Sequence, residues 1–196
     1  MLPNYQTINF IFLVVTASCL LPIHGGAAPL ISMRTDHYVV NGDTVEEIRD
    51  DMDLKSPVHA NGIAYDAHTS WVIKWDFRWS GSRSICRIKD LQVRVKIGQI
   101  IPKLSNLTEV PETVAEIWKY YKKALLEHEE EHKEIALTAA AKIEQIIADL
   151  PPGTNCNQLV TEANLLANQV LEKYKFIGEE LDYTTDHGMK YGAVFP

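Results

Sequence analysis

The sequence predicts an α+β fold: a small antiparallel β-sheet packed against two long antiparallel helices, the first carrying a His-Glu-x-x-His motif. Three observations predict it. Thr69–Trp79 and Leu91–Ile97 each alternate apolar and polar residues, the period of a half-buried strand. Two longer stretches after Pro111 repeat apolar residues at steps of three and four, the period of an amphipathic helix. Pro151-Pro152-Gly153 separates those two stretches and folds the second back on the first.

The chain has 196 residues, enough for one domain with a real core. Hydrophobic residues make up 46% and charged residues 23%, a globular composition. The net charge is −7 with no basic stripe, which excludes nucleic acid as a main partner.

From Ile8 to Ile23 the chain is nearly all apolar, and Gly25-Gly26-Ala27-Ala28 follows. This reads as a secretory signal cleaved near Ala27 or Ala28, leaving residues 28–196 as a single domain, secreted or periplasmic. Met1 to Gln6 carries no Lys or Arg, so only the terminal amine is positive there. An uncleaved anchor is the alternative, although the run is short for a bilayer span. Lipid modification at Cys19, in Thr16-Ala17-Ser18-Cys19, is another. Membrane contact is expected only through this segment if it is retained, and the mature chain is expected to be a monomer. Cys19 leaves with the signal. Cys86 and Cys156 remain, an even number in an oxidising compartment, and are expected to form a disulfide.

Along the mature chain, Asp36–Val40 reads as a short strand ended by Asn41-Gly42. Thr44 and Glu47 form a capping box for a short helix to about Met52, and Pro57 blocks its continuation. In the next strand Trp71, Ile73, Trp75, Phe77 and Trp79 share one face, with Lys74, Asp76 and Arg78 on the other. The aromatic row reads as a core face packed on a helix; a sugar platform is the alternative. Gly81 and its serines turn the chain into the second strand, antiparallel to the first. Pro111 opens the first long helix, whose stripe is Val114, Ile117, Trp118, Tyr121, Leu125, Ile135, Ala139, Ile143, Ile146 and Leu150. The second runs from about Asn157 to Glu180 on Leu159, Ala163, Leu166, Val170, Tyr174 and Ile177. Leu181 to Gly188 is expected to leave the helix.

The motif lies within Leu126-Glu127-His128-Glu129-Glu130-Glu131-His132-Lys133. Residues four apart on a helix lie one above the other, so His128 and His132 can present two imidazoles to one ion. Glu129 is roughly 100° round the helix from His128, within reach of a water beside that ion. Two ligands and a general base on one rigid element are what a zinc hydrolase needs. Both histidines fall on the apolar stripe between Leu125 and Ile135, so they face the protein. A charged helix face that happens to carry two histidines is the competing reading.

Catalytic zinc takes three protein ligands. The chain after Leu150 offers Glu162, Glu179, Glu180, Asp182, Asp186 and His187 for the third, and spacing does not choose among them. The mature chain resembles the bacterial domain-of-unknown-function family nine-two-two, described as predicted secreted zinc-dependent proteases. The resemblance rests on Gly62, Thr69-Ser70-Trp71-Val72-Ile73-Lys74-Trp75, the strand around Cys86, the run from His128 to Ala136, Cys156, and the ending Asp182-Tyr183-Thr184-Thr185-Asp186-His187-Gly188. It implies a zinc peptidase with His187 as third ligand; Glu180 and Asp182 come next. Leu181 departs from it, standing where a tyrosine is expected before Asp182.

The expected function is therefore a secreted peptidase hydrolysing peptide bonds in a peptide or protein substrate. Zn²⁺ on His128, His132 and His187 acidifies a water to a pKa of roughly 7. Glu129 acts as general base and then acid. Tyr183 or Tyr191 joins the ion in stabilising the oxyanion. Asp182 or Asp186 orients a ligand histidine. The alternative is an envelope module that binds zinc or a partner without catalysis.

Overall fold

The computed structural model describes residues 28–60, 62–82 and 85–196; the expected signal, residues 1–27, lies outside the described residues. Strand β1 (Leu30–Val40) is followed by helix α1 (Val45–Lys55) and a hairpin of two short strands, β2 (Val58–Ala60) and β3 (Ile63–Tyr65). The long strands β4 (His68–Ser82) and β5 (Ile85–Leu104) come next, then helices α2 (Glu112–Ala148) and α3 (Cys156–Thr185) and a short 3-10 turn, Met189–Tyr191. The class is α+β, as the sequence predicts. Among the described residues no helix is long and apolar enough to cross a membrane.

β4 and β5 pair antiparallel, as their alternation predicts, with Thr69 opposite Gln99 and Ile73 opposite Val95. β1 adds to the other edge of β5 and runs parallel to it, Leu30 opposite Arg94 and Val40 opposite Leu104. The sheet order is β1-β5-β4, so the sheet is mixed where an antiparallel one is expected. Alternation within a strand reports which face is buried, not the direction of its neighbour. A parallel neighbour also requires a crossover, here built from α1, the hairpin and β4.

The ladder shifts register between Asp76 and Arg78. Ile73 is buried, and Trp71, Trp75 and Phe77 pack against the core. The extra residue of the bulge is on β5, so the β4 row keeps its face; Trp79, expected on the core face and opposite Ile88 near the far end of the ladder, is nevertheless 49% exposed. β5 outlasts its expected end because its partners hold it through Gly98 and Pro102. Pro102 lies past the last β4 pairing, where β5 has become an edge on that side and a proline is tolerated.

The capping box of α1 forms: the Glu47 amide donates to Thr44 Oγ1 at 3.2 Å, and the Thr44 amide donates to Glu47 Oε2 at 3.2 Å. Helix α2 takes Pro111 as its N-cap. Two cores meet along it. One gathers Val40, Ile48, Met52, Leu104, Trp118, Tyr121, Leu125 and Phe195. The other packs Ile73, Val93, Val95 and Ile97 of the sheet against Ala136, Ala139 and Ile143 of α2 and Ala163, Ala167 and Val170 of α3. The alanines let two helices and a sheet approach closely. Trp75 Nε1 donates to Asn164 Oδ1 at 2.9 Å, adding a polar tie from sheet to α3.

Cys86 of β5 and Cys156, the first residue of α3, form a disulfide with Cα atoms 5.3 Å apart. Beside it, the Cys86 amide donates to the Gly153 carbonyl at 2.6 Å and the Gly153 amide returns a bond at 2.9 Å. The strand is thus clamped to the loop between the helices, as expected.

Helix α3 continues to Thr185, past the expected stop at Glu180. Thr and Asp are poor interior residues because their side chains compete for the backbone. Here those side chains bond within the helix: Thr184 Oγ1 donates to Glu180 O and Thr185 Oγ1 to Leu181 O, both at 2.7 Å. The buried stripe Ala163, Ala167, Val170, Gly178 therefore runs on towards Asp182 and Thr185.

Candidate metal centre

His128, Glu129 and His132 are all buried on α2, between Leu125 of one core and Ala136 of the other. Packing on both sides fixes the helix where the motif sits. The two imidazoles meet edge to face, with centroids 4.8 Å apart and Nε2 atoms 3.3 Å apart. Asp182 of α3 reaches both: its Oδ1 lies 3.1 Å from His128 Nε2 and 2.8 Å from His132 Nε2. Gly178, one turn earlier on α3, faces the same ring: a Cβ there would make ordinary contact with His132 Nδ1 at 3.8 Å.

His128, His132 and Asp182 offer ligand atoms that all lie within 4.8 Å of one another. Two imidazoles and a carboxylate are a donor set that zinc accepts. Bonds of about 2.0–2.1 Å in a tetrahedron place ligand atoms about 3.3–3.4 Å apart, close to the separation of the two Nε2 atoms. Three lone-pair atoms converging on one point need positive charge between them, supplied by protons or by a cation. These residues fit a zinc ion.

The three groups are also coupled electrostatically. Burial works to raise the Asp182 carboxyl, but hydrogen bonds from His128 and His132 hold it well below the usual carboxylate range. Burial works to lower the His132 imidazole, but the bond to Asp182 and its charge prevail and raise it.

Glu129 is held from the sheet. Thr69 Oγ1 donates to Glu129 Oε2 at 2.5 Å and accepts from Gln99 Nε2 at 3.2 Å. Thr35 Oγ1 donates to Gln99 Oε1 at 3.3 Å, so the chain of bonds crosses all three strands. Lys122, two turns before Glu129 on α2, has its amine pushed down to about 8 by burial, with the Glu129 charge opposing.

The helix ends in a left-handed turn: Asp186, His187 and Gly188 have φ of 54°, 51° and 82°. Only Gly188 takes that conformation freely, so two residues are held there by their surroundings. The turn brings Gly188 against His128 and sends the chain back along α2. His187 Nδ1 stops 3.6 Å from Asp182 Oδ1, and its ring packs on Tyr65 of β3 with centroids 4.6 Å apart. His187 thus borders the cluster without joining the three ligand atoms.

Asp182, expected to orient a ligand histidine, lies directly against the Nε2 atoms of His128 and His132. Asp186 caps α3, and among the described residues it makes no side-chain bond to either histidine. Tyr183 is one residue past Asp182, hence about 100° round the helix, and it is 85% exposed. It does not line the cleft above the cluster, and neither does Tyr191. Glu180 also stays out of the cleft. Tyr65 does line it, with Asp66, His68, Leu125, His187 and Phe195. The sequence reading missed Tyr65, Thr69 and Gln99. For the latter two a signal existed: Thr69 precedes Trp71 and Ile73 on the inward row, and Gln99 follows Val95 and Ile97 on the facing one. A polar residue at an inward position needs a polar partner.

No curated protein and no solved structure matches the chain. Residues 35–188 match the model of a family described as bacterial protein of unknown function (DUF922), from β1 through the turn that seats Gly188. That match spans more than half of the sequence and both halves of the candidate centre, and the chain belongs to the DUF922 family.

Proposed function

We propose that this protein is an exported zinc-dependent peptidase. The observation that carries the proposal is the convergence of His128, His132 and Asp182 beside a buried Glu129 that the sheet holds in place. His128, His132 and Asp182 would hold the ion, with His187 next to them. Zinc in such a seat acidifies water and polarises a carbonyl. Glu129 takes the proton of the attacking water and delivers it to the leaving amide nitrogen. Thr69 occupies Glu129 Oε2 and leaves Oε1 for the water. Tyr65 and His187, paired on the cleft wall, are the donors nearest to hand for the carbonyl oxygen. The apolar N-terminal run and the Cys86–Cys156 disulfide support export to an oxidising compartment.

A second reading is a zinc-binding module without catalysis, favoured by the way Asp182 ties α3 to α2 through both histidines. One experiment separates the two. The mature protein is analysed for zinc and incubated with a mixed peptide library, beside Glu129→Gln. A peptidase loses at least about 10²-fold in rate on that substitution while keeping its zinc. Equal cleavage by both proteins rejects the mechanism, and zinc without cleavage leaves the module.

A further inference from the structure

We infer that the cleft binds an internal stretch of polypeptide and seats a bulky apolar side chain beside the metal cluster. The inference rests on the peptidase reading for its chemistry and on the cleft walls for its specificity.

The cleft has a volume of about 670 Å³, room for a few residues of a peptide. Three large apolar side chains open into it from separate places in the chain. Ile63, on the β2–β3 hairpin, is 58% exposed; Met189 and Val194, on the C-terminal segment, are 45% and 50% exposed. Exposed apolar side chains scattered singly are ordinary. Three that converge on one cavity next to ionisable groups mark a binding surface.

The place of Met189 and Val194 beside the candidate ligands is set by Gly188. A Cβ at this position would lie 2.9 Å from His128 Cγ and 3.2 Å from Ala193 Cβ. The C-terminal segment is therefore seated on a candidate ligand histidine, and its apolar wall begins at the next residue, Met189.

The polar end of the cleft offers little to a terminal carboxylate. Among the described lining residues Arg49 is the only lysine or arginine. Its Nη1 and Nη2 donate to Asp66 at 3.1 and 2.6 Å, Nη2 also donates to Asp53 at 2.7 Å, and Nε is sealed from solvent. A terminal carboxylate is held by an unpaired cation, and this one is spent. Asp66 has both oxygens taken, Oδ2 also accepting from Tyr121 at 2.8 Å; Asp53, with Oδ1 on Arg49 and a side chain 59% exposed, is the carboxylate on this wall open to an ammonium. A ligand gains from this cleft chiefly through its side chain, and a terminal carboxylate adds little.

The test uses two blocked peptides, acetyl-Ala-Ala-Phe-Ala-amide and its Asp counterpart in place of Phe, titrated into Glu129→Gln protein with added zinc. The Phe peptide should bind at least about tenfold tighter, the scale of burying one aromatic side chain. Val194→Asp and, separately, Ile63→Asp should cut that ratio to about twofold or less with zinc content unchanged. In parallel, wild-type protein should cleave blocked and unblocked peptides alike. Equal binding of the two peptides, or stepwise trimming from one end, overturns the inference while the peptidase reading stands. A Phe preference without any cleavage by wild type supports the ligand class and removes the peptidase reading.

Discussion

Thr69 Oγ1 lies 2.5 Å from Glu129 Oε2, joining the first residues of β4 to the carboxylate beside the two histidines. A threonine hydroxyl has one proton, and here Glu129 receives it, while Gln99 supplies the hydrogen bond that Thr69 accepts. One carboxylate oxygen is therefore fixed and the other is left for water. In Thr69→Val the carboxylate loses this partner while the side-chain volume is nearly kept. Peptide hydrolysis should fall about tenfold or more, less than for loss of Glu129 itself, with zinc content unchanged. Thr69→Ser should restore most of it. Kinetics on the three proteins decide the matter, and an unaltered rate in Thr69→Val would remove Thr69 from the mechanism.

The third ligand is open to direct measurement. Asp182→Asn keeps the shape and removes the charge between the imidazoles, so zinc affinity should drop by about 10-fold or more. His187→Ala should drop it less, because its Nδ1 lies at 3.6 Å from Asp182 and outside the cluster of ligand atoms. Competition with a zinc-binding dye gives both affinities. The reverse order would make His187 the third ligand, as the family resemblance implies.

The disulfide closes a separation of 70 residues and clamps β5 to the start of α3. Its loss should cost about 2–5 kcal/mol. Denaturant unfolding of Cys86→Ser/Cys156→Ser beside wild type measures this. Native protein with two thiols open to alkylation would contradict the bond.

Alkaline pH should unfold the protein through Tyr38 and Tyr121. Burial first, and then the charge of Asp66, raise both hydroxyls above the ordinary tyrosine range. The unfolded chain releases these protons near about pH 10, while the folded chain keeps them. Their contribution to stability is thus fully present below about pH 10 and is lost as pH rises towards the folded values. Phenolate absorbance from this pair should appear only together with loss of circular dichroism. Phenylalanine at both positions should remove that late phase.

Much of this protein is written in local pattern. Period two marked most of β4 and the middle of β5, steps of three and four marked α2 and α3, and Thr44 with Glu47 marked the cap of α1. The stripe through Leu125, His128 and His132 already said that the histidines face inward, because burial and helical period are both properties of one segment. The pairing of Cys86 with Cys156 followed from counting. Other features belong to no single segment. The parallel ladder of β1 on β5 depends on a neighbour far away in sequence. The bulge at Asp76–Arg78 inserts an extra residue in β5, which only the pairing of the two strands reveals, and Trp79 beyond it is 49% exposed. The end of α3 was decided the same way: Leu181–Thr185 has weak intrinsic helix preference, yet it is helical where it packs on α2 and bonds to His128 and His132 through Asp182. Those extra turns aim Asp182 at the histidines, leave Tyr183 outside, and place His187 against Tyr65. Sequence determined which helix carries the two inward-facing histidines, since that information is periodic and local. Which residues complete the site depended on how far a second helix runs, and only packing against the first could settle that.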